Sequence, residues 1–202
     1  MSHLLSLDPG IRSPGVALWE TCSPHSPLES PSRLLAAGKV AVRVKPDGDV
    51  PLWTSDAERW IYVAGEIVGW MLRQAQALQI ERQLRVATFV FEKPVLRREV
   101  KSRGDHNNLV PLAAVGTAVA VILATSGVCP RVLSPKPEDW TGQLPKTTTG
   151  DAWKSPRGRR IAGRLRPEEL ALVPDQHDCI DAVGLGLWAL GRLDVRRAFQ
   201  AP

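Results

Sequence analysis

The sequence predicts an α/β fold: a mixed five-stranded sheet flanked by helices, with three antiparallel strands first and parallel strands after them. Three observations predict it. Short apolar segments separated by turn residues crowd the first 44 positions. A long stretch with apolar residues at helical spacing follows. From there, β-rich runs alternate with apolar helical ones, giving the order β-β-β-α-β-α-β-α.

His3 to Leu7 is apolar and ends at Asp8-Pro9-Gly10, a strand stopped by a turn. Gly15 to Trp19 returns as a second strand and makes a hairpin with the first. Residues 21–33 are rich in Ser and Pro and read as a loop, and residues 36–44 as a third strand. Ser55-Asp-Ala-Glu58 has the pattern of a capping box. The helix it opens runs to Leu84, with Trp60, Val63, Ile67, Trp70, Met71 and Leu78 on one stripe. Arg85 to Glu92 reads as a buried central strand, Leu109 to Ser126 as a buried helix of small apolar residues, and Arg131 to Ser134 as a short strand. Pro135 to Arg166 reads as a basic loop and Asp178 to Leu190 as a closing apolar helix. The expectation is one domain over residues 1–202.

With 44% hydrophobic and 23% charged residues the composition is that of a globular protein and excludes a wholly disordered chain. No apolar run is long enough to predict a membrane-spanning helix. Asp8 interrupts the only apolar stretch at the N-terminus, and no cationic start precedes it, a poor match to a signal peptide. Cys22, Cys129 and Cys179 lie far apart and form neither a disulfide framework nor a zinc-binding pair, so a reducing cytoplasm is expected. The net charge of +5 is unevenly spread. Segments 93–103 and 146–166 together carry +10, and the rest of the chain −5. Local basic surface of this kind suits a polyanion, although solvated loops also carry such runs.

Acidic residues stand where acids are usually unwelcome. Asp8 ends the first strand, Glu92 ends the most apolar one, and Asp178 and Asp181 share a face at the start of the last helix. Taken singly, Asp8 could cap its turn and Asp178 its helix. Together they form a different picture, because strand carboxyl ends and helix N-termini converge at one sheet edge in such folds. Clustered carboxylates repel unless a cation neutralises them, and all-oxygen ligands favour Mg²⁺ or Mn²⁺. Two such ions about 4 Å apart can activate a water and stabilise the leaving oxygen of a phosphodiester.

Leu-Asp8-Pro-Gly10-x-x-x-x-Gly15-x-Ala17 resembles the first motif of the RuvC-type Holliday-junction resolvases of the RNase H-like superfamily. Phe-Val-Phe-Glu92 is similar to their second motif, and His177-Asp178-Cys-Ile-Asp181-Ala182 to their closing one. The small-residue helix with Gly116 is similar too, and the Pro-x-x-Trp140 element looks more like phage or prophage relatives. The resemblance implies an RNase H-like fold and a catalytic metal set of Asp8, Glu92, Asp178 and Asp181 holding two Mg²⁺ or Mn²⁺ ions, with His177 as a secondary candidate. It implies a homodimer that cuts four-way DNA junctions to a 5′-phosphate and a 3′-hydroxyl. Members often carry an aromatic residue where this chain has Val95, so forks and other branched DNA are also expected substrates.

The basic segments supply candidate phosphate contacts: Lys93, Arg97, Arg98, Lys101 and Arg103 after Glu92, and Lys154, Arg157, Arg159, Arg160 and Arg164 before the closing motif. Lys146 is the candidate for stabilising the scissile phosphate. Trp140 and Trp153 are expected to pack under the loop rather than stack on bases, and Trp60 and Trp70 to lie in the core or a dimer interface. His3, His25 and His106 read as surface residues, and Cys179 as helix packing. Three other functions compete. An actin-like phosphate-binding ATPase or kinase shares the Asp-x-Gly hairpin but needs two such domains, more than 202 residues provide. A related nuclease acting on forks, flaps or RNA hybrids would use the same carboxylates. A non-catalytic DNA-binding module would need none of them.

Overall fold

A computed structural model of the chain describes residues 1–9, 13–21, 32–42, 55–93, 106–127, 130–142 and 151–193. Strand β1 (Ser2–Asp8) pairs antiparallel with β2 (Gly15–Thr21), and β2 pairs antiparallel with β3 (Arg33–Lys39). On its other side β1 is parallel to β4 (Val86–Phe91), and β4 is parallel to β5 (Arg131–Leu133). The order across the sheet is β3-β2-β1-β4-β5, the mixed sheet that the sequence predicts.

The pleat sends alternate side chains of β1 into two cores. Leu5 and Leu7 face one side, where they meet Val63, Ile67 and Trp70 of helix α1 (Asp56–Ala77) and Val115, Val119 and Leu123 of α2 (His106–Thr125). Leu4 faces the other side. Three short helices follow β5: α3 (Pro137–Thr141), α4 (Pro156–Ala162) and α5 (Pro167–Leu170). The last helix, α6 (His177–Ala189), lies under Leu4, Ala17, Trp19 and Val90, with Trp140 of α3 and Ile161 of α4 filling the same layer. Each fully buried large apolar side chain contributes about 1.5–3 kcal/mol, and β1 is buried on both faces because it is central.

The structure differs from expectation at four places, each with a physical reason. Strand β3 occupies Arg33–Lys39 rather than 36–44; past its end the Val40 N–H still donates to the Pro14 carbonyl, but the ladder with β2 stops at the Gly15–Lys39 pair, and the alternation of Val40 and Val42 reports burial. Helix α1 stops at Ala77, short of Leu84. There Gln79 takes a left-handed conformation (φ 58°), its N–H donates to the Gln76 carbonyl, and the Ile80 N–H donates to the Ala75 carbonyl, a Schellman closure with Gln where Gly is usual. The segment read as a loop at 135–166 is partly helical, because Pro137 and Pro156 open helices instead of breaking them. His3, read as a surface residue, is buried; its Nδ1 accepts from the Arg85 N–H at 3.2 Å, and burial pushes its pKa down. Trp140 and Trp70 are buried, as expected, while His25 lies outside the described residues.

One buried ion pair ties the helical segment to the sheet. Glu169 Oε1 accepts from the backbone N–H of Leu34 on β3, and its Oε2 from that of Arg166. Arg192 closes on both oxygens at 2.9 and 2.7 Å. Burial, the largest single influence, would raise the Glu169 pKa; the Arg192 hydrogen bond, the two N–H donors and the Arg192 charge outweigh it and hold the carboxyl at about 2.

Gln79→Gly is expected to raise stability by about 1 kcal/mol, since glycine has no steric cost in the left-handed region; an unchanged or lower urea midpoint would contradict this account. The Glu169 contribution is fully present above the ordinary carboxylate pKa of 4.5 and is lost as pH falls towards 2. It amounts to roughly 3 kcal/mol, so the stability of the wild type should fall more steeply between pH 4.5 and 2 than that of Glu169→Gln in acid titrations of folding.

Candidate active site

The site forms where three strands end in register. Asp8 pairs with Gly15 across β1 and β2, and Gly15 pairs with Lys39 across β2 and β3. On the other side Leu7 pairs with Phe91, and the Glu92 N–H donates to the Leu7 carbonyl at 3.4 Å. Asp8 and Glu92 therefore leave adjacent parallel strands at their carboxyl ends. Helix α6 reaches the same corner because Gly15 has no side chain: a Cβ there would overlap the Asp178 carbonyl. Asp178 stands in the first turn of α6, where the helix dipole favours a carboxylate. It does not cap the helix; the cap position is Gln176.

Each carboxylate has a partner supplied by the chain. Lys39 Nζ lies 3.1 Å from Asp178 Oδ2 in a pair with both side chains more than a third exposed, so it contributes only about 0–1 kcal/mol. Asp181, one turn further along α6, is buried, and Arg157 NH1 donates to both its oxygens at 3.0 and 2.9 Å. That pair is only 12% and 5% exposed. The Arg157 guanidinium also lies over the Trp140 ring, 5.3 Å from its centroid. Trp140 in turn donates its indole N–H to Glu92 Oε2 at 2.9 Å. Trp140, Arg157 and Asp181 thus link Glu92 to α6 through one continuous set of contacts. Cys179 registers the local charge: burial pushes its thiol up to about 11, the Asp178 carboxylate adds to this, Lys39 opposes it, and Asp8 adds again.

Among the described residues no three His, Cys, Asp or Glu side chains close on a common metal-binding point. The backbone positions nevertheless bring Asp8, Glu92 and Asp178 to one edge, and their donor atoms are all carboxylate oxygens, the chemistry a hard divalent cation takes. The donor chemistry of those three suits such an ion. Asp181 is placed differently, beneath Arg157. His177 opens α6 with a buried Nε2 that has no hydrogen-bond partner.

The basic residues divide into three groups. Lys93, Lys154, Arg159 and Arg164 are exposed, and Arg160 is half-buried with NH1 3.4 Å from the Thr141 carbonyl. Arg157, expected on a phosphate, is turned inward onto Asp181. Lys146, Arg97, Arg98, Lys101 and Arg103 lie outside the described residues. Sequence reasoning missed Lys39; its signal is a lysine closing an otherwise apolar strand, and only strand register carries it to the acids. It also missed the Trp140–Glu92 bond.

No family model matches this sequence, and no curated protein is significantly similar to it. Solved structures do match. RuvC of Thermus thermophilus in complex with a Holliday-junction substrate is 18% identical, with 92% of this chain and 91% of that one covered at a TM-score of 0.51. A second structure of Thermus thermophilus RuvC gives 16% identity, 93% of each chain and a TM-score of 0.52. The yeast mitochondrial Holliday-junction resolvase Ydc2 is 13% identical, covered over 98% of this chain and 81% of that one at 0.53. The chain has the RNase H-like fold of these resolvases.

Gly15→Ala is expected to push α6 off the strand ends and to cost about 1–3 kcal/mol. A thermal midpoint equal to that of the wild type would mean that Gly15 does not set the approach of Asp178.

Proposed function

We propose that this chain is a divalent-metal-dependent endonuclease that cuts four-way DNA junctions, leaving a 5′-phosphate and a 3′-hydroxyl. The observation that carries the reading is the convergence of Asp8, Glu92 and Asp178 at one edge of an RNase H-like sheet. The likeness in fold to junction resolvases over nearly the whole chain supports it.

A bound Mg²⁺ or Mn²⁺ would activate the attacking water and neutralise charge on the leaving oxygen. Asp8, Glu92 and Asp178 would hold it. The four acids, Asp181 included, are the set expected to take two ions. Trp140 fixes the orientation of Glu92 by holding one carboxylate oxygen. Lys39 neutralises Asp178 until a stronger cation arrives. Exposed Lys93, Lys154, Arg159 and Arg164 supply positive charge for the DNA backbone, and each phosphate neutralised releases counterions, so binding would weaken with salt. Lys146 is retained as the candidate for the scissile phosphate. A homodimer would set two sites on the two strands of a junction; Ile61 and Leu72 of α1 and Val121 of α2 stand exposed in the helical layer that a second copy could cover.

The test is cleavage of a labelled synthetic four-way junction with Mg²⁺ or Mn²⁺, beside linear duplex, fork, flap and RNA hybrid. Paired nicks near the branch are expected, reduced on the order of 10²–10³-fold in Asp8→Asn and Glu92→Gln. Cleavage of forks or hybrids in preference would keep the chemistry and overturn the substrate. Binding without cleavage of any substrate would leave a DNA-binding module.

A further inference from the structure

We infer that Arg157 stands in place of a second metal ion: it occupies both oxygens of Asp181, and the site takes one divalent cation, held by Asp8, Glu92 and Asp178. The inference rests on the metal-nuclease reading above and changes its stoichiometry. The two cation-bearing contacts at this corner differ in kind. Lys39 meets Asp178 at the surface, where both side chains are more than a third exposed and solvent screens the pair. An arriving divalent ion needs only to displace a solvated lysine there. Arg157 meets Asp181 under cover, with side chains 12% and 5% exposed.

Three observations make the second contact costly to break. Arg157 engages both oxygens of Asp181, at 3.0 and 2.9 Å. Its guanidinium is seated on the face of the buried Trp140 ring. Its residue sits in α4, next to Gly158, where a Cβ would overlap the Ala152 carbonyl, so the helix that carries it is pressed against the preceding turn. An arginine stays protonated at any working pH, so the corner keeps a fixed positive charge whether or not metal is present. To recruit Asp181 as a ligand, a metal would have to strip a buried carboxylate from a buried guanidinium and leave that guanidinium uncompensated. The same charge, joined through Trp140 to Glu92, lies on the side of the site away from Lys39's strand and needs no ion to keep it there.

The experiment is calorimetric titration of Mn²⁺ into the full chain without DNA, with bound Mn²⁺ counted independently by electron paramagnetic resonance. Wild type is expected to bind one Mn²⁺ per chain. Asp181→Asn should keep that ion, Asp8→Asn should lose it or bind at least 10-fold more weakly, and Arg157→Gln, confirmed folded by circular dichroism, should gain a second. Two ions on the wild type, loss of the ion in Asp181→Asn, or a folded Arg157→Gln that still binds one would each overturn the inference while leaving a metal nuclease in place. A wild type that binds no Mn²⁺ would overturn the metal-nuclease reading and this inference with it. If Arg157→Gln fails to fold, the wild-type stoichiometry decides alone.

Discussion

The start of α6 touches the start of β2 at Gly15, and the candidate site depends on that contact. Any side chain there would overlap the Asp178 carbonyl, so the helix could not close on the sheet. Because Gly15 also pairs with Asp8 on one side and Lys39 on the other, the same residue sets the lateral order of the corner. The parallel pairing of β1 with β4 then adds Glu92. Three carboxylates and one ammonium reach one edge through strand register and a single missing methyl group. The apolar runs of β1 and β4 supply the rigidity, since both strands are buried beneath helices on either face.

Charge balance explains how the corner folds at all. Carboxylates brought together repel one another and oppose closure unless cations meet them. This chain carries its own. Lys39 answers Asp178 from β3, and Arg157 answers Asp181 from α4. The fold can therefore form on the charges the chain itself supplies. The two contacts differ in kind: the exposed one is weak and exchangeable, and the buried one is costly to break.

Much of this was legible in the sequence, and what was not has a common cause. The order of elements along the chain, a mixed sheet with helices on its faces, and the placing of Asp8, Glu92 and Asp178 at the ends of elements follow from local pattern: apolar runs, turn residues and acids where elements stop or start. The Asp181–Arg157 pair spans 24 positions, the Glu92–Trp140 bond 48 and the His3–Arg85 bond 82, and no local periodicity encodes any of them. Arg157 was read as a phosphate ligand because it stands in a basic run; its partner became visible only once α4 packed on α6. His3 reads as a surface residue because no ligand partner stands at usable spacing, and parallel pairing of β1 with β4 buries it. The early end of α1 rests on Gln79 adopting a glycine conformation, which sequence cannot announce.

The short helices after β5 give the clearest case of structure made from residues that read as loop. Pro137, Pro156 and Pro167 each begin a helix. These helices are too short to be stable alone, so buried side chains must fix them. Two buried arginine–carboxylate pairs do so at opposite ends of the same layer. Glu169–Arg192 fastens α5 to the edge strand through the Leu34 N–H and has no acid of the candidate site within it. Asp181–Arg157 fastens α4 to α6 with a residue that belongs to the acidic set. The chemistry is the same in both, but the second uses a carboxylate of the acidic corner. An element that needs Asp181 to hold its place cannot release it cheaply. The stability of the α4 layer and the availability of Asp181 are therefore set by one interaction, and a change in either must appear in the other.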